Sequence, residues 1–251
     1  VTFYYLNLNM TNTSTDLAGK VAMYAKANEA LDSALFELYS TFNISGITVN
    51  GQPVDYSRVN SAIRVPVDAQ TDDIFIIETT YDGTPPTAAT NPLGGAGMSQ
   101  DNSPTWGNEV VWSLSEPFSA YEWFPCKQSL TDKADSSYFY ITVPSNLKAG
   151  SNGALEQISD LGNGYSRYEW KHRHPIDYYL ISVSVASYVE YNVFANPAGA
   201  PNPILIQNYI YDNPQTLPNF QNDIDETVDF MELFYNLFGP YPFEDEKYGH
   251  C

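Results

Sequence analysis

Basic side chains are scarce in this sequence. Eleven Lys and Arg face 30 Asp and Glu in 251 residues, a formal net charge of −19. Binding a phosphate backbone needs clustered cations, so nucleic acid is excluded as a partner. Anionic membrane surfaces are disfavoured on the same ground. Long apolar runs are missing too: nothing approaches the ~18–20 residues of a membrane-spanning helix, and no basic-then-apolar signal segment opens the chain. Cysteine is limited to Cys126 and Cys251, too few for a disulfide framework, so the redox compartment is barely constrained. Three histidines are few for an enzyme of this length. There is no Gly-x-Ser-x-Gly, and neither cysteine has a convincing base partner, so no nucleophilic constellation is legible.

What is present is apolar and aromatic. Hydrophobic residues make up 43% and aromatics 15%, which excludes a disordered acidic tail. The length suits one large β domain or two ordinary domains. Thr2 to Leu8 and Lys20 to Ala27 alternate apolar with polar residues, as half-buried strands do. Ile74-Phe75-Ile76-Ile77, continued by Thr79 to Tyr81, reads as a core strand. Asn50-Gly51 between two apolar runs is a strong hairpin signal, because both residues tolerate positive φ. Further strands are expected at Ser137 to Val143, Tyr165 to Trp170 and Tyr178 to Val189. The fold class is therefore mainly β, an antiparallel sandwich or saddle-shaped sheet. The strand-like start at Val1, without Met, reads as a mature or trimmed product. With the acidic surface, it favours a secreted or periplasmic location over a cytoplasmic one. Asn12-Thr13-Ser14 and Asn43-Ile44-Ser45 match the glycosylation sequon, as Asn-rich chains do by chance.

Gly83 to Trp106 carries Pro85, Pro86, Pro92, Gly94, Gly95, Gly97 and Pro104, and is expected to be a long loop. Its Gly94-Gly95-Ala96-Gly97 cluster lacks the Lys and Ser/Thr of a phosphate-binding loop. Character changes after Val189. A Pro- and Asn-rich stretch, Asn196 to Pro203, is followed by a strand from Ile204 to Tyr211. Then Ile224, Val228, Met231, Tyr235 and Phe238 share one helical face. Asp223 with Glu226 suits a capping box at its start, and Gly239-Pro240 ends it.

The polar residues are read conservatively. His172 and His174 lie on one strand face but lack a third ligand, so a structural or exposed pair is favoured over a metal site. Asp72-Asp73 and Glu244-Asp245-Glu246 read as solvated turns. Tyr4, Tyr5, Tyr121, Trp123, Tyr178 and Tyr179 could make a sugar-stacking surface, although strand aromatics usually serve the core.

One set of motifs is more specific. Val111-Trp112-Ser113-Leu114-Ser115-Glu116-Pro117 is followed by Trp123-Phe124-Pro125-Cys126, with Glu116 ten positions before Cys126. Lys133-Ala134, Ile141-Thr142-Val143-Pro144, Ser151-Asn152-Gly153 and Pro175-Ile176-x-Tyr178-Tyr179-Leu180-Ile181-Ser182-Val183 come next, then Leu237-Phe238-Gly239-Pro240-Tyr241-Pro242-Phe243 and Lys247-Tyr248-Gly249. In this order they resemble the N-terminal domain of the aminopeptidase N family, the gluzincin zinc aminopeptidases with leukotriene-hydrolysing relatives. The resemblance covers essentially the whole chain. Two departures mark a divergent branch: Lys127-Gln128-Ser129-Leu130 stands where many members continue Cys-x-Asp-x-Pro, and Tyr121-Glu122 stands where a basic residue is usual.

The resemblance implies residues 1–188 as an N-terminal β domain and 189–251 as the start of a truncated thermolysin-like catalytic domain. It implies peptide substrates bound by their free N-terminus, with Glu116 reaching the α-amino group. It also implies zinc in the parent protein, with the His-Glu-x-x-His helix beyond Cys251. The stretch itself is expected to hold no zinc and to be inactive. Two alternatives stay open at this point, a zinc-less relative used for binding and a glycan-binding β-sandwich.

Overall fold

The computed structural model describes residues 1–87 and 96–251. Its main layer is an eight-stranded sheet. In spatial order the strands are Ala154–Gly162, Tyr165–His172, Ser136–Pro144, Phe3–Asn9, Leu17–Lys26, Ile74–Gly83, Asn43–Val49 and Gln52–Pro53. Neighbours run antiparallel except Phe3–Asn9 and Ser136–Pro144, which pair in parallel and so join segments far apart in the chain. Alternation decides which side faces in. Tyr4, Leu6 and Leu8 are buried with Phe139, Ile141 and Val143, while Phe3, Tyr5, Tyr138 and Tyr140 face outward. The outward rings meet edge-on, Phe3 with Tyr138 at 4.9 Å and Tyr5 with Tyr140 at 5.0 Å between centroids. Lys171 and Arg167 lie over the Tyr138 and Tyr140 rings, so this face consists of cross-strand aromatic pairs capped by cations.

Two smaller sheets share the core of the large one. Leu31–Glu37, Ala62–Ala69 and Ser57–Val59 contribute Phe36, Ile63 and Val65. Lys148–Ser151, Val183–Ala186, Glu109–Ser113 and Met98–Asn102 contribute Val110, Val111, Ala149 and Val185. The mainly β, largely antiparallel architecture is the one expected. So is the hairpin, where Asn50 (φ 51°) and Gly51 (φ 77°) connect Asn43–Val49 to Gln52–Pro53.

Three local expectations are corrected. The stretch from Gly83 to Trp106 is not all loop: Met98–Asn102 is an edge strand paired with Glu109–Ser113. Its side chains are mostly polar, so the pairing comes from the neighbouring strand and not from an apolar pattern of its own. Pro92, Gly94 and Gly95 lie outside the described residues. The apolar run from Tyr178 to Val189 is not one strand. It forms a 3-10 turn, Tyr178–Leu180, then Val183–Ala186, and changes sheets into Tyr188–Ala195. A continuous apolar run looks the same in a buried strand and a buried turn.

The helix, finally, begins at Thr216 and not beside Asp223, running Thr216–Phe238. Asn213 Oδ1 accepts from the amides of Gln215 (3.0 Å) and Thr216 (2.9 Å). That satisfies the first donors seven residues earlier than the expected capping box. Pro218 falls in the first turn, where its missing N–H is not needed. Gly239, at φ 92°, ends the helix as expected, with its amide donating to Tyr235 O.

This helix crosses between the parallel strands Ile204–Tyr211 and Tyr248–His250, which with Tyr188–Ala195 make a separate three-stranded sheet. Its core is small: Ala195, Ile204, Ile206 and Met231, flanked by Val193, Val228, Tyr235, Tyr241 and Tyr248. Parallel pairing through an intervening helix is the usual crossover geometry.

Candidate functional site

Glu116 sits where the strand Glu109–Ser113 leaves its sheet and turns into a one-turn 3-10 helix, Ala120–Glu122. The turn is pinned by buried aromatic residues. Trp123 Nε1 donates to Ser115 Oγ at 2.9 Å, just before Glu116. The Tyr178 hydroxyl donates to the Pro117 carbonyl at 2.5 Å, just after it. Tyr81 OH in turn donates to Trp123 O at 2.8 Å. Trp123, Phe124 and Cys126 are buried, and Cys126 exchanges both backbone hydrogen bonds with Glu37. Glu116 itself is half-buried and joined to Pro117 by a cis peptide. Its Oε2 is buried with no hydrogen-bond partner among the described residues. A buried carboxylate oxygen left without a donor is costly, and a bound ligand is one of the things that can satisfy it.

The neighbouring acid has a different task. Glu122, where the resemblance expects a basic residue, is buried, and its Oε2 accepts the Gly97 amide at 2.7 Å. A Cβ on Gly97 would lie 2.1 Å from Ser119 O, so only glycine permits this approach. Cys126 offers no nucleophile: burial, then the nearby Glu37 charge, raises its thiol well above the ordinary range. The aromatic residues considered for a sugar surface do not form one surface. Tyr4, Trp123 and Tyr178 lie in the core, whereas Tyr5 is on the outer sheet face.

A second polar cluster was not legible in the sequence. His172 Nδ1 lies 2.6 Å from Glu246 Oε2, and the Arg173 amide donates to Glu246 Oε1 at 2.6 Å. His174 Nε2 lies 2.8 Å from Asp245 Oδ1. The Phe243 ring packs against both imidazoles. Lys247 donates to the Ser151 and Gly153 carbonyls and sits 4.4 Å over the Trp170 ring. The expectation that Glu244-Asp245-Glu246 is a solvated turn is thus wrong at Glu246, whose side chain is 3% exposed. Asp245, 67% exposed, fits it. Burial pushes the Glu246 carboxyl up, but the His172 bond, the Arg173 amide and the two imidazoles outweigh it and leave the pKa below the ordinary 4.5. Burial draws Lys247 down to about 8, against the charges of Cys251 and Glu246.

Beside this cluster is a cavity of about 840 Å³, lined among others by Trp112, Ser113, Trp170, Tyr209 and Lys247. Glu116 does not line it, although Ser113 at the end of the preceding strand does. Among the described residues no three His, Cys, Asp or Glu side chains converge as a metal site, and no helix is long and apolar enough to cross a membrane.

No family model matches the chain, and no curated protein matches it either. Solved structures do. A two-domain M1 zinc metallopeptidase mutant bound to L-arginine superimposes with TM-score 0.83 at 21% identity, over 99% of this chain and 55% of that one. The M1 zinc metallopeptidase from Deinococcus radiodurans gives TM-score 0.81 at 22% identity, with the same coverage. Yeast LTA4 hydrolase gives TM-score 0.71 at 19% identity, over 99% of this chain and 36% of its own length. The chain therefore spans about half the length of the first two. From end to end it shares the fold of the matched part of these M1 zinc metallopeptidases, the fold to which its ordered motifs pointed.

Proposed function

We propose that this chain is the N-terminal β domain, residues 1–188, and the opening of the catalytic domain, residues 189–251, of a zinc-dependent aminopeptidase that removes N-terminal residues from peptides. The observation that carries the reading is the coincidence of two independent results, motif order along the whole chain and whole-chain likeness to M1 zinc metallopeptidases. In this reading the zinc is held by the remainder of the parent protein, and no catalytic step is assigned to this stretch.

What this stretch supplies is Glu116. A carboxylate oxygen already removed from water and unpaired is suited to the α-ammonium of a peptide, which would fix the end that enters and place the first scissile carbonyl. The helix supports the partner half of the reading. Val228, Met231 and Tyr235 pack inward, but Phe230, Leu233, Phe234 and Leu237 are exposed along it, and so is Phe238, which the sequence pattern placed on the inner face. A contiguous apolar face of this size is an interaction surface, and the downstream catalytic domain is its occupant in this reading.

The test uses the full-length parent with zinc. It should release N-terminal residues from aminoacyl chromogenic substrates and lose that activity to a chelator, while residues 1–251 alone stay at the blank. Glu116→Ala in the parent should lower kcat/KM about 10- to 100-fold, the equivalent of one charge-assisted contact. A change within about twofold would remove the anchoring role.

A further inference from the structure

Two side chains from different parts of the chain converge on the turn that carries Glu116. Trp123 reaches back to Ser115, and Tyr178, delivered by the 3-10 turn Tyr178–Leu180, reaches across to Pro117. Both rings are about 1% exposed, so neither can swing to another partner without opening the core. The residues on either side of Glu116 are thereby tied to rigid packing. Glu116 itself makes no bond from Oε2. With no bond at Oε2 to orient it, this carboxylate depends on its backbone for position, and two of the bonds that hold that backbone come from these donors.

We infer that Tyr178 and Trp123 are positioning residues that hold the Glu116 carboxylate at the amino-end subsite, with substrates bearing a free α-ammonium as the class that feels them. The inference rests on the anchoring role proposed above for Glu116. Burial raises the Tyr178 phenol to about 12, helped by the nearby Cys126 and Glu37, so it stays a protonated donor throughout the neutral range. Fixing a binding group before substrate arrives removes an ordering cost from binding. The signature of these residues is therefore first of all in KM.

The experiment is a double-mutant cycle in the zinc-loaded full-length parent, using Tyr178→Phe, Glu116→Ala and the pair. Tyr178→Phe keeps the ring and removes only the hydroxyl. Expected are a rise in KM of roughly three- to tenfold with kcat within about twofold, and an effect below about twofold once Glu116 is already Ala. Ser115→Ala, which removes the acceptor of Trp123, should repeat the KM pattern and guards against a folding defect in Tyr178→Phe. If Glu116→Ala impairs turnover but Tyr178→Phe and Ser115→Ala leave KM unchanged, positioning is wrong while the anchor stands. If both lower kcat equally in the presence and absence of Glu116, their role is structural and the inference fails. If Glu116→Ala has no effect, the anchor and its positioning fall together.

Discussion

The contact between His172 and Glu246 allows a quantitative test of how the last residues of the chain are docked on the eight-stranded sheet. Glu246→Ala removes two bonds at once, from His172 Nδ1 and from the Arg173 amide, each 2.6 Å long. The two side chains are 7% and 3% exposed, so solvent screening is slight. Removing one partner of a buried, charge-assisted pair costs about 3–5 kcal/mol, part of it the desolvation of the donor left behind. Taking about 3 kcal/mol, and 2–4 °C per kcal/mol for a chain of this size, the melting temperature should fall by about 6–12 °C. Asp245→Ala serves as the internal control. Its bond to His174 is exposed, and such pairs contribute about 0–1 kcal/mol.

The same pair fixes a pH signature. The Glu246 carboxyl lies below its ordinary 4.5 in the folded chain, so the unfolded chain takes up the proton first as the solution is acidified. Its contribution is complete above about pH 6, where both states are ionised apart from a trace, and is lost as pH falls through the folded value. Urea denaturation followed by Trp fluorescence should show the full gap between native chain and Glu246→Ala at pH 7. The gap should have narrowed by about pH 3.5. Two results would refute this reasoning: a difference under about 1 kcal/mol at pH 7, or a gap of the same size at both pH values.

Three other substitutions probe the frame around the site. Gly153→Ala should cost about 3 kcal/mol or more, since a Cβ there meets Lys171 O at 2.2 Å at a φ of +80°; an unchanged urea midpoint would contradict the close approach. Met231→Ala should cost about 2–3 kcal/mol and loosen the helix before the large core, because Met231 anchors the small separate cluster. Circular dichroism separates helix loss from sheet loss and would show the two together if the clusters were one unit. In a Cys251→Ser background, Cys126 should not react with a thiol reagent until urea unfolds the chain, being fully buried with its thiol pKa raised; rapid labelling of the native chain would show that the core around Trp123 opens.

Much of this fold was legible because it depends on neighbours in sequence. Alternation in Phe3–Asn9 and Ser136–Pro144 decides which side chains face the core, and Asn50-Gly51 decides a turn, whatever else surrounds them. The helix start was legible too, but at a different place. Asn213-Pro214 carries the signal, and the capping-box pattern at Asp223 drew attention to a point inside the helix. Met98–Asn102 left no pattern to find, since a polar edge strand exists only because Glu109–Ser113 lies beside it.

The site divides in the same way. Glu116 was reached through the order of motifs around it, which is a property of the linear chain. Its support is not: Tyr178 stands 61 residues from Pro117, and His172 stands 74 from Glu246. Nothing in either residue type announces the partner, because complementarity at such distances is created by the sheet order. The parallel pairing of Phe3–Asn9 with Ser136–Pro144 brings the segment before the latter strand under the start of the chain, where Tyr4 OH accepts the Lys127 amide and Asp132 holds the Val1 ammonium. Of the two bonds that hold the turn at Glu116, the one from Trp123 to Ser115 is local and the one from Tyr178 to Pro117 depends on the packed core. The geometry of that turn should consequently report on the whole core, and a core substitution far from Glu116 that loosens Tyr178 should show in KM before it shows in kcat.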